Sequence, residues 1–348
     1  MALTKLTLEL PRPPAGSGVS VALCTFNGAR YLRQQLASIL EQSRRPDQIV
    51  VCDDGSQDGS LEIARGMLQG SGVAHRLAMN PVRLGPSDNF AHALRLCEHE
   101  IVAFSDQDDV WHADKLSRLE AAFVASPAIA AVFSDARAID AAGEPLGFSQ
   151  WQSCWFGPSV RAAYRADLFP LLVRYPVVCG ATLAVRRASA LRCLPVGAGW
   201  LHDEWLASMC AATARVQFVE AELVDYRVHD AQAVGLIRPS LRQRIQQARR
   251  LDQAYFEAQI RRFVLLSERL KQWTPALPSA VFTTLESKLA FLRRRAQIRG
   301  GHANAWLSAT SQLLDGSHHR YGHGFKSWLV DVGYDLAYGR QRVSRPTG

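Results

Sequence analysis

No Cys-x-x-Cys pair occurs among the seven cysteines, and seven is an odd number. That excludes the usual zinc spacing and argues against a disulfide scaffold. Cys24, Cys52 and Cys97 lie inside apolar runs, where a thiol behaves as a small core residue. Neither a Gly-x-Gly-x-x-Gly string nor a P-loop is present, so dinucleotide and ATP sites lose their signatures. No uninterrupted apolar run reaches the roughly 18 residues of a membrane span. The nearest, Leu168 to Val185, is broken by Pro170, Arg174, Pro176 and Gly180. The first residues lack a basic stretch followed by an apolar core and a small-residue cleavage site. Export is therefore not expected, and a reducing, cytoplasmic compartment is.

What is present suits a folded protein of about two domains: 348 residues, 48% hydrophobic and 21% charged. The net charge of +8 is uneven, because Asp and Glu concentrate in the first two-thirds while Arg238 to Arg345 is rich in Arg. An anionic partner for that segment and a merely solvated basic face are equal readings of this asymmetry.

Val19 to Thr25 reads as a buried strand, followed by a turn at Phe26, Asn27 and Gly28. Tyr31 to Gln42 carries Tyr31, Leu32, Leu36, Ile39 and Leu40 at helical spacing. After Pro46 and Asp47, Gln48 to Cys52 reads as a second strand, ending in an acidic turn, Asp53 to Gly59, before a helix from Ser60. A third strand is expected near His75 to Ala78, then a turn at Leu84 to Asp88 and a helix with Phe90, Ala93 and Leu94. Ile101 to Phe104 is a buried strand that runs into Asp106, Asp108 and Asp109, with a helix starting near Ala113. Ala130 to Phe133 is a short strand with a polar end, and Gly147 to Pro176 is irregular. Val177 to Val185 reads as a strand in which Gly180 signals close approach. Trp200 to Trp205 opens a helix with Asp203 and Glu204 in its first turn, where the dipole favours anions. Gln217 to Val224 is the last strand, and beyond Leu236 the pattern is helical. This alternation predicts an α/β fold with a mainly parallel sheet, which binds ligands beyond the carboxyl ends of its strands.

Both acidic turns fall at such ends. Three carboxylates packed there repel one another and resist desolvation unless a cation compensates. Asp106 and Asp108 suit Mg²⁺ or Mn²⁺ carried in with phosphates, and a solvated turn capping the next helix is the equal alternative. Asp54, at its own strand end, can accept the imide N–H of a pyrimidine. A calcium loop through Asp54, Ser56 and Asp58 is rejected, because its last ligand position holds Arg65. A phosphohydrolase with an Asp-x-Asp nucleophile at Asp106 is tolerated by Val110, although its motif belongs after a first strand. Trp151, Trp155 and Trp200 read as core aromatics rather than sugar platforms, and His318 to His323 as a surface loop.

Val19 to Asn27, Asp53 to Asp58 and Ser105 to Asp109, in this order, resemble the family-2 glycosyltransferases of the GT-A fold. Asp106-Gln107-Asp108-Asp109, with His202 to Leu206 and Tyr226 to Asp230, is most similar to the rhamnosyltransferase-like branch that builds bacterial surface polysaccharide. The resemblance covers about Val19 to Gly235. It implies a GT-A domain over 18–235, flanked by an arm over 1–17 that holds Pro11, Pro13, Pro14 and Gly16 and by a helical region over 236–348 that lies outside the resemblance. It also implies an inverting, metal-dependent enzyme moving a sugar from a nucleotide-diphosphate donor to a glycan or lipid-linked glycan, with L-rhamnose from dTDP-rhamnose as one candidate.

Residue by residue, the resemblance implies that Asp54 contacts the pyrimidine and that Thr25 and Asn27 line the nucleotide. Gln107 joins Asp106 in the nucleotide-sugar set, and Asp106 and Asp108 hold a divalent cation. Asp203 would be the catalytic base, with Glu204 as the neighbouring candidate. His229 would lie near the diphosphate or the metal, although the family's Gly and Asn after it are replaced by Asp230 and Ala231. A packed histidine is the equal reading there. For Asp109 a helix cap is expected.

Phe325, Trp328, Leu329, Val332 and Leu336 fall at helical spacing near Lys326 and Arg340. They suit peripheral contact with the inner face of an anionic membrane, or packing on the catalytic domain or a second copy in a homodimer. Nucleic acid is not an expected partner. A catalytically silent nucleotide- or glycan-binding module and the magnesium phosphohydrolase are the competing functions.

Overall fold

The structure, a computed structural model, describes residues 18–230, 232, 251–300 and 305–334. The expected arm over 1–17, the boundary at 235/236, and Ala231, Leu336 and Arg340 lie outside the described residues. In chain order the first elements are β1 (Val19–Thr25), α1 (Ala29–Leu40), β2 (Gln48–Asp53), α2 (Ser60–Leu68), β3 (Ala74–Met79) and α3 (Pro86–Leu96). Next come β4 (Ile101–Ser105), β5 (Val110–Trp111), α4 (Lys115–Ala125), β6 (Ile129–Ile139) and β7 (Pro145–Ser149). Short helices α5 (Gln150–Ser153), α6 (Pro158–Tyr164) and α7 (Phe169–Arg174) precede β8 (Leu183–Arg186), α8 (Arg187–Cys193), α9 (His202–Thr213) and β9 (Arg215–Arg227). The remainder is helical: α10 (Gln253–Lys271), α11 (Ser279–Arg299), α12 (Ala305–Leu314), α13 (Ser317–Tyr321) and α14 (Phe325–Tyr334).

The chain divides into two compact units. The first draws its described residues from Met1–Leu168, Val177–Val196 and Trp200–Leu236, the second from Phe169–Pro176, Gly197–Gly199 and Ile237–Gly348. In the first, the strands form one mixed sheet in the order β3-β2-β1-β4-β8-β6-β9-β5, with β7 on β6. β3, β2, β1 and β4 run parallel, β8 is antiparallel to both β4 and β6, and β9 is parallel to β6. Every residue of β1, β2 and β4 is buried, as apolar runs in a two-sided parallel sheet must be. Leu32, Leu36 and Ile39 form the buried stripe of α1 against Val21, Leu23, Ile49 and Val51. Each such side chain contributes about 1.5–3 kcal/mol by leaving water.

The departures from expectation have local causes. The strand expected over Ala130 to Phe133 continues to Ile139, because β9 pairs with it through irregular register past polar Ser134 and Asp135. The last strand likewise extends to Arg215–Arg227. Val177 to Val185 is not one strand: Gly180–Thr182 is a 3-10 turn, and only Leu183–Arg186 joins the sheet. Gly147 to Pro176 contains the end of β7 and three short helices. The expected loop at His318 to His323 opens instead as a helix, with His318 fully buried.

In the second unit, Arg295 grips the Asp331 carboxylate with two hydrogen bonds (2.8 and 2.7 Å), and Arg299 adds a third (2.6 Å). All three side chains are buried, so part of the C-terminal Arg excess is internal and does not serve as surface charge. Buried Lys288 donates to the carbonyls of Arg174 and Tyr321, and burial pushes its amine down to about 7. On α14, Trp328 and Val332 pack onto Ile298 and Ala309 while Phe325 and Leu329 are exposed. No helix among the described residues is long and apolar enough to cross a membrane.

Candidate active site

The carboxyl ends of β1, β2 and β4 lie side by side, since Thr25 pairs with Asp53 and Leu23 with Ser105. Three turns therefore converge there. Gln107 binds two of them together. Thr25 Oγ1 and Phe26 N both donate to its Oε1 (2.8 and 2.7 Å), and its Nε2 donates to Phe26 O (3.1 Å). The approach is close enough that a Cβ on Gly28 would meet Gln107 Oε1 at 2.1 Å. Thr25 and Gln107, both expected to meet the nucleotide, are thus brought together and hydrogen-bonded to each other. Asn27 sits at φ 50° and accepts from Gln57 N (2.9 Å), while its own N–H donates to Ser56 Oγ (2.8 Å).

Asp53 closes its own turn by accepting from Gly55 N and Ser56 N. Asp54, 3% exposed, accepts from Asn80 Nδ2, Leu84 N and Gly85 N at 2.7–2.9 Å, which shapes the loop after β3. Arg83 lies 4.0 Å from the same carboxylate, with its guanidinium 3.7 Å from the centre of the Phe26 ring. A carboxylate offers about four acceptor positions, so one remains at Asp54 for a ligand N–H.

The turn after β4 is the acidic centre. Burial, then the charges of Asp108 and Asp203, push the Asp106 carboxyl up to about 7, against a smaller opposing pull from Lys115. Asp108 is buried, with Oδ2 2.8 Å from His229 Nε2. Asp109 is not the expected helix cap: it is fully buried and accepts the Arg227 N–H (3.0 Å), and Asp114 occupies the cap position of α4. Burial and its two aspartate neighbours push the Asp109 carboxyl well up, while burial pushes the Lys115 ammonium down.

Asp203 and Glu204 open α9 as expected. Asp203 Oδ2 accepts from Gly180 N (2.8 Å) and Oδ1 from Glu204 N (2.7 Å). The Asp203 charge is felt at Asp106, so the two turns face one electrostatic environment. A Cβ on Gly180 would lie 2.8 Å from His202 Nε2 and 3.6 Å from Asp203 Oδ2. The His202 ring cannot retreat, being stacked on Phe90 (4.0 Å) and edge-on to Phe104 (5.5 Å), and burial pushes it down to about 3 so that it stays neutral. Gly180→Ala is expected to destabilise the fold by roughly 1–3 kcal/mol through this overlap. Denaturant unfolding measures it, and an unchanged midpoint would contradict the close approach.

Two positioning residues escape sequence reasoning. Lys115, fully buried on α4, donates to Ala181 O (2.6 Å) and stands 3.3 Å from the centre of the Trp111 ring. It ties the acidic turn to the 3-10 turn that carries Gly180. Arg227, 1% exposed, donates from Nε to Asp108 O (2.8 Å) and from Nη2 to Gln34 Oε1 (2.8 Å), and so clamps the backbone of the acidic turn. Its place two residues before His229 was the only available signal. Trp151 and Trp200 are core residues at 3% and 6% exposure, whereas Trp155, expected in the core with them, is 49% exposed.

Among the described residues no group of three or more His, Cys, Asp or Glu is arranged to hold a metal by itself. The donor chemistry nonetheless fits a hard divalent cation that arrives with phosphates, because such ions take one or two protein carboxylates and fill the rest from substrate and water. Asp106, Asp108 and His229 are the residues that would hold it. Burial first, and the neighbouring carboxylates second, hold the Asp106 carboxyl up, and a cation at this turn would oppose both effects.

Comparison with known proteins bears on the family and the fold. Residues 20–188 match the family model described as glycosyl transferase family 2. An uncharacterized glycosyltransferase of Nostoc sp. is 27% identical over 222 residues, 61% of this chain and 65% of its own length. The dTDP-rhamnosyl transferase RfbG of Shigella flexneri is 32% identical over 98 residues, 27% of this chain and 34% of its own. Either match thus spans less than two thirds of the relative. Among solved structures, S. aureus TarS 1-349 in complex with UDP superposes with a TM-score of 0.53 at 16% identity, over 95% of this chain and 93% of that one. The mannosyltransferase PcManGT of Pyrobaculum calidifontis, in complex with GDP-Man and Mn²⁺, gives 0.50 at 19% identity over 97% and 86%. With the mixed sheet and its acidic strand ends, these matches make the chain, through residues 20–188, a member of the family-2 glycosyltransferases of the GT-A fold.

Proposed function

We propose that this protein transfers a sugar from a nucleoside-diphosphate donor to a hydroxyl of a glycan or lipid-linked glycan, with inversion at the anomeric carbon. The observation that carries the reading is the nearness of Asp203, fixed by the Gly180 N–H, to the acidic turn Asp106–Asp109, where its charge helps push the Asp106 carboxyl up. One station accepts a proton and the other meets the leaving diphosphate.

In this reading Asp203 takes the proton of the acceptor hydroxyl as the acceptor oxygen bonds to the anomeric carbon from the face opposite the diphosphate. The bond from that carbon to the diphosphate oxygen breaks, and its electron pair leaves with the phosphate. A divalent ion held by Asp106, Asp108 and His229 would supply charge stabilisation for that leaving group. Lys115 and Arg227 hold the two turns in place through backbone carbonyls, and Thr25, Asn27, Asp54 and Gln107 order the nucleotide side. Glu204, beside Asp203, is the alternative base.

A dTDP-rhamnose donor draws support from the Asp106-Gln107-Asp108-Asp109 variant and from the name of the Shigella relative. Assembly of surface polysaccharide on the cytoplasmic side, with C-terminal contact to the membrane, belongs to the same reading. Thermal unfolding with UDP-, GDP- and dTDP-sugars, with and without Mn²⁺, tests it. A donor at about a hundred times its Kd adds about 2.7 kcal/mol, so the true donor with Mn²⁺ should raise Tm by a few degrees. Equal shifts from all nucleotides, or none from any, would defeat the donor assignment.

A further inference from the structure

A cleft of about 410 Å³ opens in the first unit, lined among others by Asp135, Trp151, Phe156, Arg161, Glu220 and Glu222. None of these residues belongs to the reaction centre. Its volume falls in the range of small-molecule sites.

The sheet register fixes where it lies. Ala184 of β8 pairs with Ala103 of β4 on one side and with Val132 of β6 on the other. Asp106 follows Ala103 by three residues, and Asp135 follows Val132 by three. The two aspartates are therefore level on the same edge of the sheet, two strand spacings apart, roughly 10 Å. Gly180, which fixes Asp203, precedes the strand between them. The cleft thus flanks the centre on the side away from the β1 and β2 turns that order the nucleotide.

Its chemistry is selective. Glu220 is paired with both Arg161 (3.3 Å) and Arg165, and Arg161 also donates to Phe156 O (2.8 Å), which leaves Asp135 and Glu222 as the carboxylates the cleft can offer a ligand. Asp135 Oδ1 accepts from Ala136 N and Trp151 N, Ser149 adds a side-chain hydrogen bond, and the residue is 9% exposed, where burial still pushes its carboxyl up. Trp151 supplies an apolar wall with Phe156, and its buried indole N–H has no hydrogen-bond partner. Surplus carboxylates repel phosphate or uronate and accept hydrogen bonds from neutral hydroxyls.

We infer that this cleft is an acceptor subsite that binds a neutral pyranose of the glycan being extended. The inference rests on the transferase reading, because it gives the cleft its place in the reaction. The probes are the neutral methyl glycosides of rhamnose, glucose and N-acetylglucosamine, with methyl glucuronide as the charged comparison. Binding is read at the Trp151 indole N–H by NMR, assigned by its disappearance in Trp151→Phe. Donor binding with Mn²⁺ is followed in parallel by thermal unfolding.

At least one neutral glycoside should move the Trp151 signal while the glucuronide does not. Glu222→Gln, at an exposed position that leaves folding undisturbed, and Asp135→Asn should each weaken that binding about tenfold, the loss expected for a charged hydrogen bond. Donor binding should not change in either variant. A chain that binds donor yet shows no glycoside at Trp151 overturns the subsite, as does equal affinity for the glucuronide or unchanged affinity in both variants. A chain that binds glycosides here but no nucleotide sugar keeps the sugar site and removes the transferase reading.

Discussion

Asp203→Asn should lower sugar transfer by about 10²–10⁴-fold, the usual contribution of a positioned general base. The amide cannot take the acceptor proton, yet it occupies nearly the same volume. One of the two backbone donors now satisfied by Asp203, Gly180 N and Glu204 N, keeps an oxygen partner in the variant. The other loses its partner, at a cost of about 1–3 kcal/mol in stability. Folding can be checked by unfolding, and donor binding should persist, so the loss must appear in turnover. Glu204→Gln is the matched control and should keep most of the activity. Transfer at the parent rate by Asp203→Asn, or loss confined to Glu204→Gln, would move the base one residue along.

Asp108→Asn separates the diphosphate station from the fold. Removing this charge relieves repulsion on Asp106 and Asp109, which both feel it, so stability without ligand should hold or rise. The Tm increase from nucleotide sugar with Mn²⁺ should vanish, and transfer should fall by about 10²–10³-fold, as when an electrostatic stabiliser is removed. A variant that is destabilised without ligand but keeps its metal-dependent shift would make Asp108 a structural partner of His229 and nothing more. The opposite signs of the two effects keep the outcomes apart.

Much of the candidate site's placement on the fold was legible because its signals are local. The apolar runs of β1, β2 and β4 announce strands buried on both faces, and each ends where its polar residues begin. An aspartate just past a buried strand stands at the ligand-binding edge of a parallel sheet, so Asp54 and Asp106 could be placed from order alone. Asp203 is similar, since a helix start is written in its own first turn. Gly180 was legible as a point of close approach, although the strand assumed around it was a 3-10 turn.

Other features have no local trace. β6 runs on through Ser134, Asp135 and Arg137 because β9 supplies backbone partners, and a polar sequence by itself reads as a strand end. Lys115 bonds a carbonyl 66 residues away and Arg227 one 119 residues away, and a backbone carbonyl leaves no mark of residue type. Asp109 looked like a cap because its true partner, the Arg227 N–H, lies 118 residues along the chain. The cleft beside Asp135 likewise exists only where β6, β9 and the segment around α5 and α6 meet.

The sequence by itself determined the strand runs, their acidic ends and the family to which residues 20–188 belong, since periodicity, strand-end chemistry and motif order are properties of neighbours. Only the tertiary structure decided which carboxylates share one electrostatic field and which cations hold their turns. Those choices depend on desolvation and on backbone partners that no stretch of sequence contains.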